Sequence, residues 1–188
     1  MPGTRGRLCD GTIPEGARSD LGDARELNEQ LRRLAEDYAL VAREVLGDNL
    51  TSVVLFGSVA RGEAGPGSDI DLLVVCRELP TGAFRRRRLV EPIGEQLRVG
   101  LRRLWERGVY TEFTEVLRSE EEAARFHPLY LDMAYEAILL YDRDGFFASL
   151  LAGLRERLAA MGAKRRRLGH ITYWDLKPDF RPGEVIEL

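Results

Sequence analysis

The chain has 188 residues, 44% of them hydrophobic and 31% charged, with a net charge of −3. That suits one globular domain with or without a tail, and no apolar run approaches the ~20 residues of a membrane span. The charge excludes a chain that draws nucleic acid as a whole. Two cysteines exclude a disulfide framework, and an N-terminus without an apolar stretch predicts a cytoplasmic chain with no secretory signal.

Residues 1–19 are rich in Gly, Pro and Arg and lack periodicity, which predicts a flexible leader. A folded domain is expected over 20–162 and a basic, aromatic tail over 163–188, packed on that domain. Asp20 or Asp23 is placed to cap a first helix. In it Leu27, Leu31, Leu34, Tyr38, Val41, Val45 and Leu46 recur every three to four residues, and Gly47 ends it. Residues 51–56 and 69–75 are short, apolar and β-branched, and read as buried strands. Cys76 follows the second of them and is expected as a buried thiol.

Residues 84–107 read as mostly helical, with Ile93, Leu97, Leu101 and Leu104 on one face. Pro92 predicts a helix start near Glu91, or a break there. The preceding Arg85-Arg86-Arg87-Arg88 reads as a solvated helix start or as a basic patch for an acceptor or triphosphate. Gly108 ends the helix, and residues 109–117 read as a third strand. Ser119 with Glu120, Glu121 and Glu122 predicts a capped, short helix that His127-Pro128 interrupts. Residues 129–136 resume it, 137–141 read as a fourth strand, 142–145 as a turn and 146–162 as the last helix. The tail carries Lys164-Arg165-Arg166-Arg167 and Tyr173-Trp174. It reads either as a site for a nucleotide or single-stranded RNA or as a packed tail with Trp174 buried. Lys164 and Lys177 are the only lysines among 28 basic residues.

The stretch with chemistry in it is 55–75, LFGSVARGEAGPGSDIDLLVV. Asp69 and Asp71 are two apart on a strand, so both carboxylates point to one face. Their repulsion and the cost of burying them are removed by a bound cation. Hard divalent ions such as Mg²⁺ favour this arrangement together with substrate phosphates. Ahead of it, Gly57-Ser58 leaves the first strand directly. Gly57 lets the backbone approach a phosphate, and Ser58 to Arg61 can form one helical turn with its N–H groups toward an anion.

Gly57-Ser58, Arg61-Gly62 and Ser68-Asp69-Ile70-Asp71-Leu72 together resemble the signature of the DNA polymerase beta-type nucleotidyltransferase superfamily, especially its minimal prokaryotic members. The tail and residues 141–147 are similar to a group of archaeal nucleotidyltransferase-domain proteins. The resemblance implies an α/β (α+β) nucleotidyltransferase fold, a small mixed sheet flanked by helices. It also implies a third carboxylate on the strand beside Asp-x-Asp. Glu112 and Glu115 are the candidates, on opposite faces. Glu112 is preferred, because mid-strand beside Phe113 its charge otherwise lacks a purpose; the family usually carries Asp there.

By the same resemblance, Asp69, Asp71 and Glu112 would hold two Mg²⁺ or Mn²⁺ ions. Gly57, Ser58, Arg61 and Ser68 would serve the nucleotide. Arg61 either reaches a phosphate or ion-pairs on the surface, and Ser68 caps or orients the Asp69 turn. The implied reaction transfers a nucleoside monophosphate, AMP in the form expected here, from a nucleoside triphosphate to a hydroxyl, releasing pyrophosphate. The implied partners are a second copy of the chain (a homodimer) or a small helical HEPN-type protein, with a nucleic-acid acceptor also open. Two rivals from other classes are a nucleotide- or partner-binding module without catalysis and an RNA-binding protein that uses the Arg runs.

Overall fold

The computed structural model describes residues 15–169 and 171–181. Helix α1 (Glu15–Leu46) opens it. The helix begins ahead of Asp20 and Asp23, so the expected caps lie inside it. Ala17, Arg18, Leu21, Ala24 and Arg25 are good helix formers and outweigh Gly16 and Gly22. What remains of the expected leader, residues 1–14, lies outside the described residues. The apolar stripe of α1 buries Leu31, Ala35, Tyr38 and Ala42, and the helix stops before Gly47 as expected.

Four strands form the main sheet: β1 (Leu50–Phe56), β2 (Ile70–Cys76), β3 (Phe113–Ser119) and β4 (Ile138–Asp142), in the order β3-β2-β1-β4. β1 is antiparallel to β2 and to β4, while β2 and β3 run parallel. Strand alternation divides the core. Leu72 and Val74 face a cluster shared with α1 and with α3 (Ala83–Trp105). Leu73 and Val75 face a second cluster shared with α5 (Leu129–Glu136) and α6 (Phe146–Ala160). The result is a mixed α/β fold, a four-stranded sheet with helices on both faces, as the sequence led us to expect. Cys76 is buried in it as a free thiol, its pKa pushed up to about 11 by burial.

Two expectations along the chain are corrected. α3 passes through Pro92 without a break and starts at Ala83, so Arg85 to Arg88 lie within its first turns. Proline deprives the helix of one N–H, but burial of Val90, Ile93, Leu101 and Leu104 on the same stripe holds it together. The third strand begins at Phe113 rather than at Val109. A Schellman closure uses up the preceding residues: Gly108 N–H donates to Trp105 C=O and Val109 N–H to Leu104 C=O, both at 3.0 Å. Gly108 takes φ +81°, which suits glycine.

Ser119 caps the short α4 (Glu120–Ala123) through a reciprocal pair. Glu122 N–H donates to Ser119 Oγ at 3.2 Å, and Ser119 N–H to Glu122 Oε2 at 3.1 Å. After α6 the chain forms an antiparallel hairpin, β5 (Lys164–Leu168) and β6 (Ile171–Asp175). The sequence reading assigned no strands there. Trp174 is partly buried, stacked on Tyr135 with its indole N–H donating to Asp132 at 3.0 Å. Among the described residues no helix is long and apolar enough to cross a membrane.

Candidate active site

The site is built where β1 ends and β2 begins. β1 turns directly into the five-residue α2 (Gly57–Arg61), and the antiparallel register sets Phe56 opposite Asp71. The Asp71 carboxylate therefore lies against the backbone of Gly57. A Cβ built on Gly57 would stand 2.1 Å from Asp71 Oδ2. Gly57 has φ +73°. The sequence reading gave it a role toward phosphate; the structure adds that it makes room for Asp71.

The second strand starts at Ile70 rather than Asp69; Asp69, just ahead of it, is exposed, while Asp71 within it is partly buried. Asp71 accepts no hydrogen bond among the described residues. Its carboxyl is pushed above the ordinary carboxylate range by burial and by the neighbouring Asp69 charge, with Arg61 opposing the shift. Asp69 Oδ1 accepts from the Glu112 backbone N–H at 3.2 Å, and Glu112 C=O accepts from Ile70 N–H at 2.8 Å. Glu112 is thus joined to Asp69 through its backbone.

The parallel register sets Ile70 beside Phe113 and Asp71 beside Thr114. One step back, Glu112 lies across from Asp69, on the sheet face of the two aspartates. Its side chain is exposed and precedes β3, so the expectation of a mid-strand charge is corrected. Among the described residues no three acids are grouped to hold a metal ion. Glu115 lies on the opposite face, where Tyr38 Oη donates to it at 3.4 Å, and burial raises its pKa. It is partly buried and does not stand beside the aspartates.

The other predicted residues are engaged locally. Ser58 begins the turn of α2, and its C=O accepts from Glu63 N–H at 2.9 Å. Ser68 Oγ accepts from Gly65 N–H at 2.9 Å and so closes the turn before Asp69. Arg61 ion-pairs with Glu63 at 2.7 Å and lies 3.7 Å from Glu136.

Sequence reasoning missed two supports of this corner. Asn28 on α1 donates to Val59 C=O and accepts from Ala64 N–H, both at 3.2 Å, and so braces both ends of the glycine-rich loop. Glu136 on α5 joins Arg61 to Arg165 of the hairpin. Both lie far from the loop in sequence, and neither stands at a spacing that marks it.

Residues 28–128 match the family described as Nucleotidyltransferase domain. The chain belongs to that family. This nucleotidyltransferase is also similar to curated proteins of Methanocaldococcus jannaschii. It is 27% identical over 127 residues to one named "Putative protein adenylyltransferase MJ1305", covering 68% of this chain and 82% of that one. It is 38% identical over 56 residues to "Putative protein adenylyltransferase MJ0141", covering 30% and 52%. Among solved structures, a toxin–antitoxin crystal structure with AMP-PNP is 15% identical, covers 68% of this chain and 92% of its own, and has a TM-score of 0.43. The toxin–antitoxin MntA–HepT is 14% identical, with 69% and 92% covered and a TM-score of 0.39.

The donor set fits a hard divalent cation. Two adjacent carboxylates, one of them partly buried without a hydrogen-bond donor, offer oxygens whose repulsion such an ion relieves. Magnesium takes one or two carboxylates and completes its shell with water and substrate phosphates, so a closed cage of three acids is not required.

Proposed function

We propose that this nucleotidyltransferase moves AMP from ATP to a hydroxyl group of a protein. The observation that supports the reading is the pairing of Phe56 with Asp71, which sets the Asp71 carboxylate against Gly57. Its likeness to the two M. jannaschii proteins named as protein adenylyltransferases supports AMP and a protein acceptor. The bond from the acceptor oxygen to the α-phosphorus forms and the bond to the bridging oxygen breaks. Pyrophosphate leaves, and the hydroxyl proton passes to solvent.

Asp69 and Asp71 would hold Mg²⁺ or Mn²⁺, with Glu112 the third acid on that face. The ion, when bound, neutralises phosphate charge and lowers the pKa of the attacking hydroxyl. Gly57 and Ser58 receive the outer phosphates, and Asp69, tied to the Glu112 backbone, keeps its orientation without the nucleotide. Arg61 supplies positive charge beside Asp71. The chemistry is positioning and charge neutralisation, and no side-chain nucleophile takes part.

The test is transfer of labelled AMP from α-labelled ATP to candidate partner proteins, a HEPN-type helical protein among them, with Mg²⁺ or Mn²⁺ present. Label on a protein hydroxyl that disappears in Asp69→Asn and Asp71→Asn is the expected result. Label retained in either variant overturns the reading.

A further inference from the structure

Arg86 and Arg87, from the arginine run, and the outer edge of β3 take no part in the chemistry above, and they line one groove. β3 is last in the sheet order and, among the described residues, pairs with β2 alone. Its seven residues keep an unbroken register, and none is fully buried. The opposite edge strand, β4, has five residues, and a register shift interrupts its ladder. Shortness and bulges are common protections of an edge. β3 has neither.

Backbone groups alternate between the two sides of a strand. Glu112 C=O points inward to Ile70 N–H, so the backbones of Phe113, Glu115 and Leu117 face outward. The Glu115 carboxylate accepts from Tyr38 Oη on the α1 side of the sheet. Phe113 and Leu117, at the two ends of this outward set, are the pairing positions that flank Glu115. A groove of about 580 Å³ follows this edge between β3 and the first turns of α3, lined in part by Arg86, Arg87 and Arg118. Arg86 is held by Glu122 at 2.7 Å; Arg87 and Arg118 make no direct ion pair among the described residues, Arg87 lying near Glu115 and Arg118 near Glu122. The groove also reaches Glu112, whose backbone touches Asp69. It carries three arginines along its length and ends at Glu112, the backbone neighbour of Asp69.

We propose that the outer edge of β3 docks the acceptor: an extended, acidic segment of the partner protein adds to the sheet as a further strand. Backbone pairing with Phe113 and Leu117 gives the affinity, and the charged groove gives the direction. Acidic side chains meet Arg87 and Arg118, and the target hydroxyl comes to rest toward Asp69 and Asp71. The inference rests on the reading of a protein acceptor and adds the chemistry by which that acceptor is recognised.

The probe is a fluorescein-labelled nine-residue peptide that alternates glutamate and valine and ends in tyrosine, titrated by anisotropy against the full chain. Saturable binding is expected, with slowed hydrogen exchange at the Phe113 and Leu117 amides. Affinity should fall at least tenfold when the peptide backbone is N-methylated, when lysine replaces its glutamates, and in Arg87→Glu/Arg118→Glu. If that double variant does not fold by circular dichroism, Arg87→Glu alone, at an exposed position, carries the arm. No saturable binding, indifference to N-methylation, protection elsewhere, or a β3-to-β3 dimer that excludes the peptide each overturns the dock. Peptide binding by a chain that transfers no nucleotide sinks the transferase reading and leaves the dock standing. AMP transfer to a protein acceptor that the Arg variants leave unchanged sinks the dock alone.

Discussion

Asp71 Oδ2 occupies the space where a side chain at residue 57 would begin, 2.1 Å from the Cβ position of Gly57. Gly57→Ala therefore forces the carboxylate away or opens the β1–β2 junction, and it strains a backbone at φ +73°. A loss of about 1–3 kcal/mol is expected, together with loss of AMP transfer. Urea denaturation beside the transfer assay checks it; unchanged stability would mean that the corner is loose.

Asp71 carries a second consequence of the same contact. Its pKa is raised by burial and by Asp69, so the folded state holds that proton more tightly than the unfolded chain does. The associated stability is present at acidic pH and is lost as pH rises through the raised value. Asp71→Asn should thus melt higher than the native chain at neutral pH while losing transfer by at least about 100-fold. Adding Mg²⁺ or Mn²⁺ should raise the melting temperature of the native chain at pH 7 and hardly that of Asp71→Asn. Scanning calorimetry with and without the ion reads both.

Glu122 behaves with the opposite sign. The Arg86 guanidinium, ahead of the Ser119 N–H, holds its carboxyl down to about 2. This stability is complete above the ordinary carboxylate range and is lost as pH falls toward about 2. The pair is partly open to water, so about 1 kcal/mol is its scale. Glu122→Gln should narrow the difference in stability between pH 6 and pH 3 in denaturant titrations, and an unchanged difference would remove this pair from the acid response.

Asn28 is a distant brace whose removal leaves Val59 C=O and Ala64 N–H without their partner. Asn28→Ala should cost about 1–3 kcal/mol and speed hydrogen exchange at Ala64. Exchange at Ala64 that stays as slow as in the native chain would show that the loop holds itself.

Trp174 fastens the hairpin to α5 by its stack on Tyr135 and its bond to Asp132. Trp174→Ala should expose the Arg165 to Arg167 strand to trypsin without melting the four-stranded sheet. Limited digestion followed by mass spectrometry tests this, and resistance equal to the native chain would assign the attachment to Arg165 and Glu136 instead.

Much of the chain was legible because local pattern and burial agree. The apolar stripe of α1, the β-branched runs of β1 and β2, the Ser119–Glu122 capping box and the stop at Gly108 are each decided by residues a few positions apart. The nearness of Asp69 to Asp71 agrees with their two-residue spacing, although Asp69 stands just ahead of β2. Pro92 misled because a local penalty was set against a buried stripe that only packing supplies.

The choice between Glu112 and Glu115 was of another kind. Spacing places them on opposite faces, but only the parallel register with β2 says that the aspartates look toward the face of Glu112. It also needed the tertiary contact to show that Glu112 meets Asp69 by its N–H, while Glu115 turns to Tyr38. The Asn28 brace, the Glu136 link and the open edge of β3 were likewise settled by packing between segments distant in the chain. Sequence alone determined the main helices, the strands of the four-stranded sheet and the nearness of the two aspartates, because helix and strand periods act over neighbouring residues; the β5–β6 hairpin was not among them. The company those aspartates keep was decided by tertiary structure, because strand order and register are set by which faces bury together.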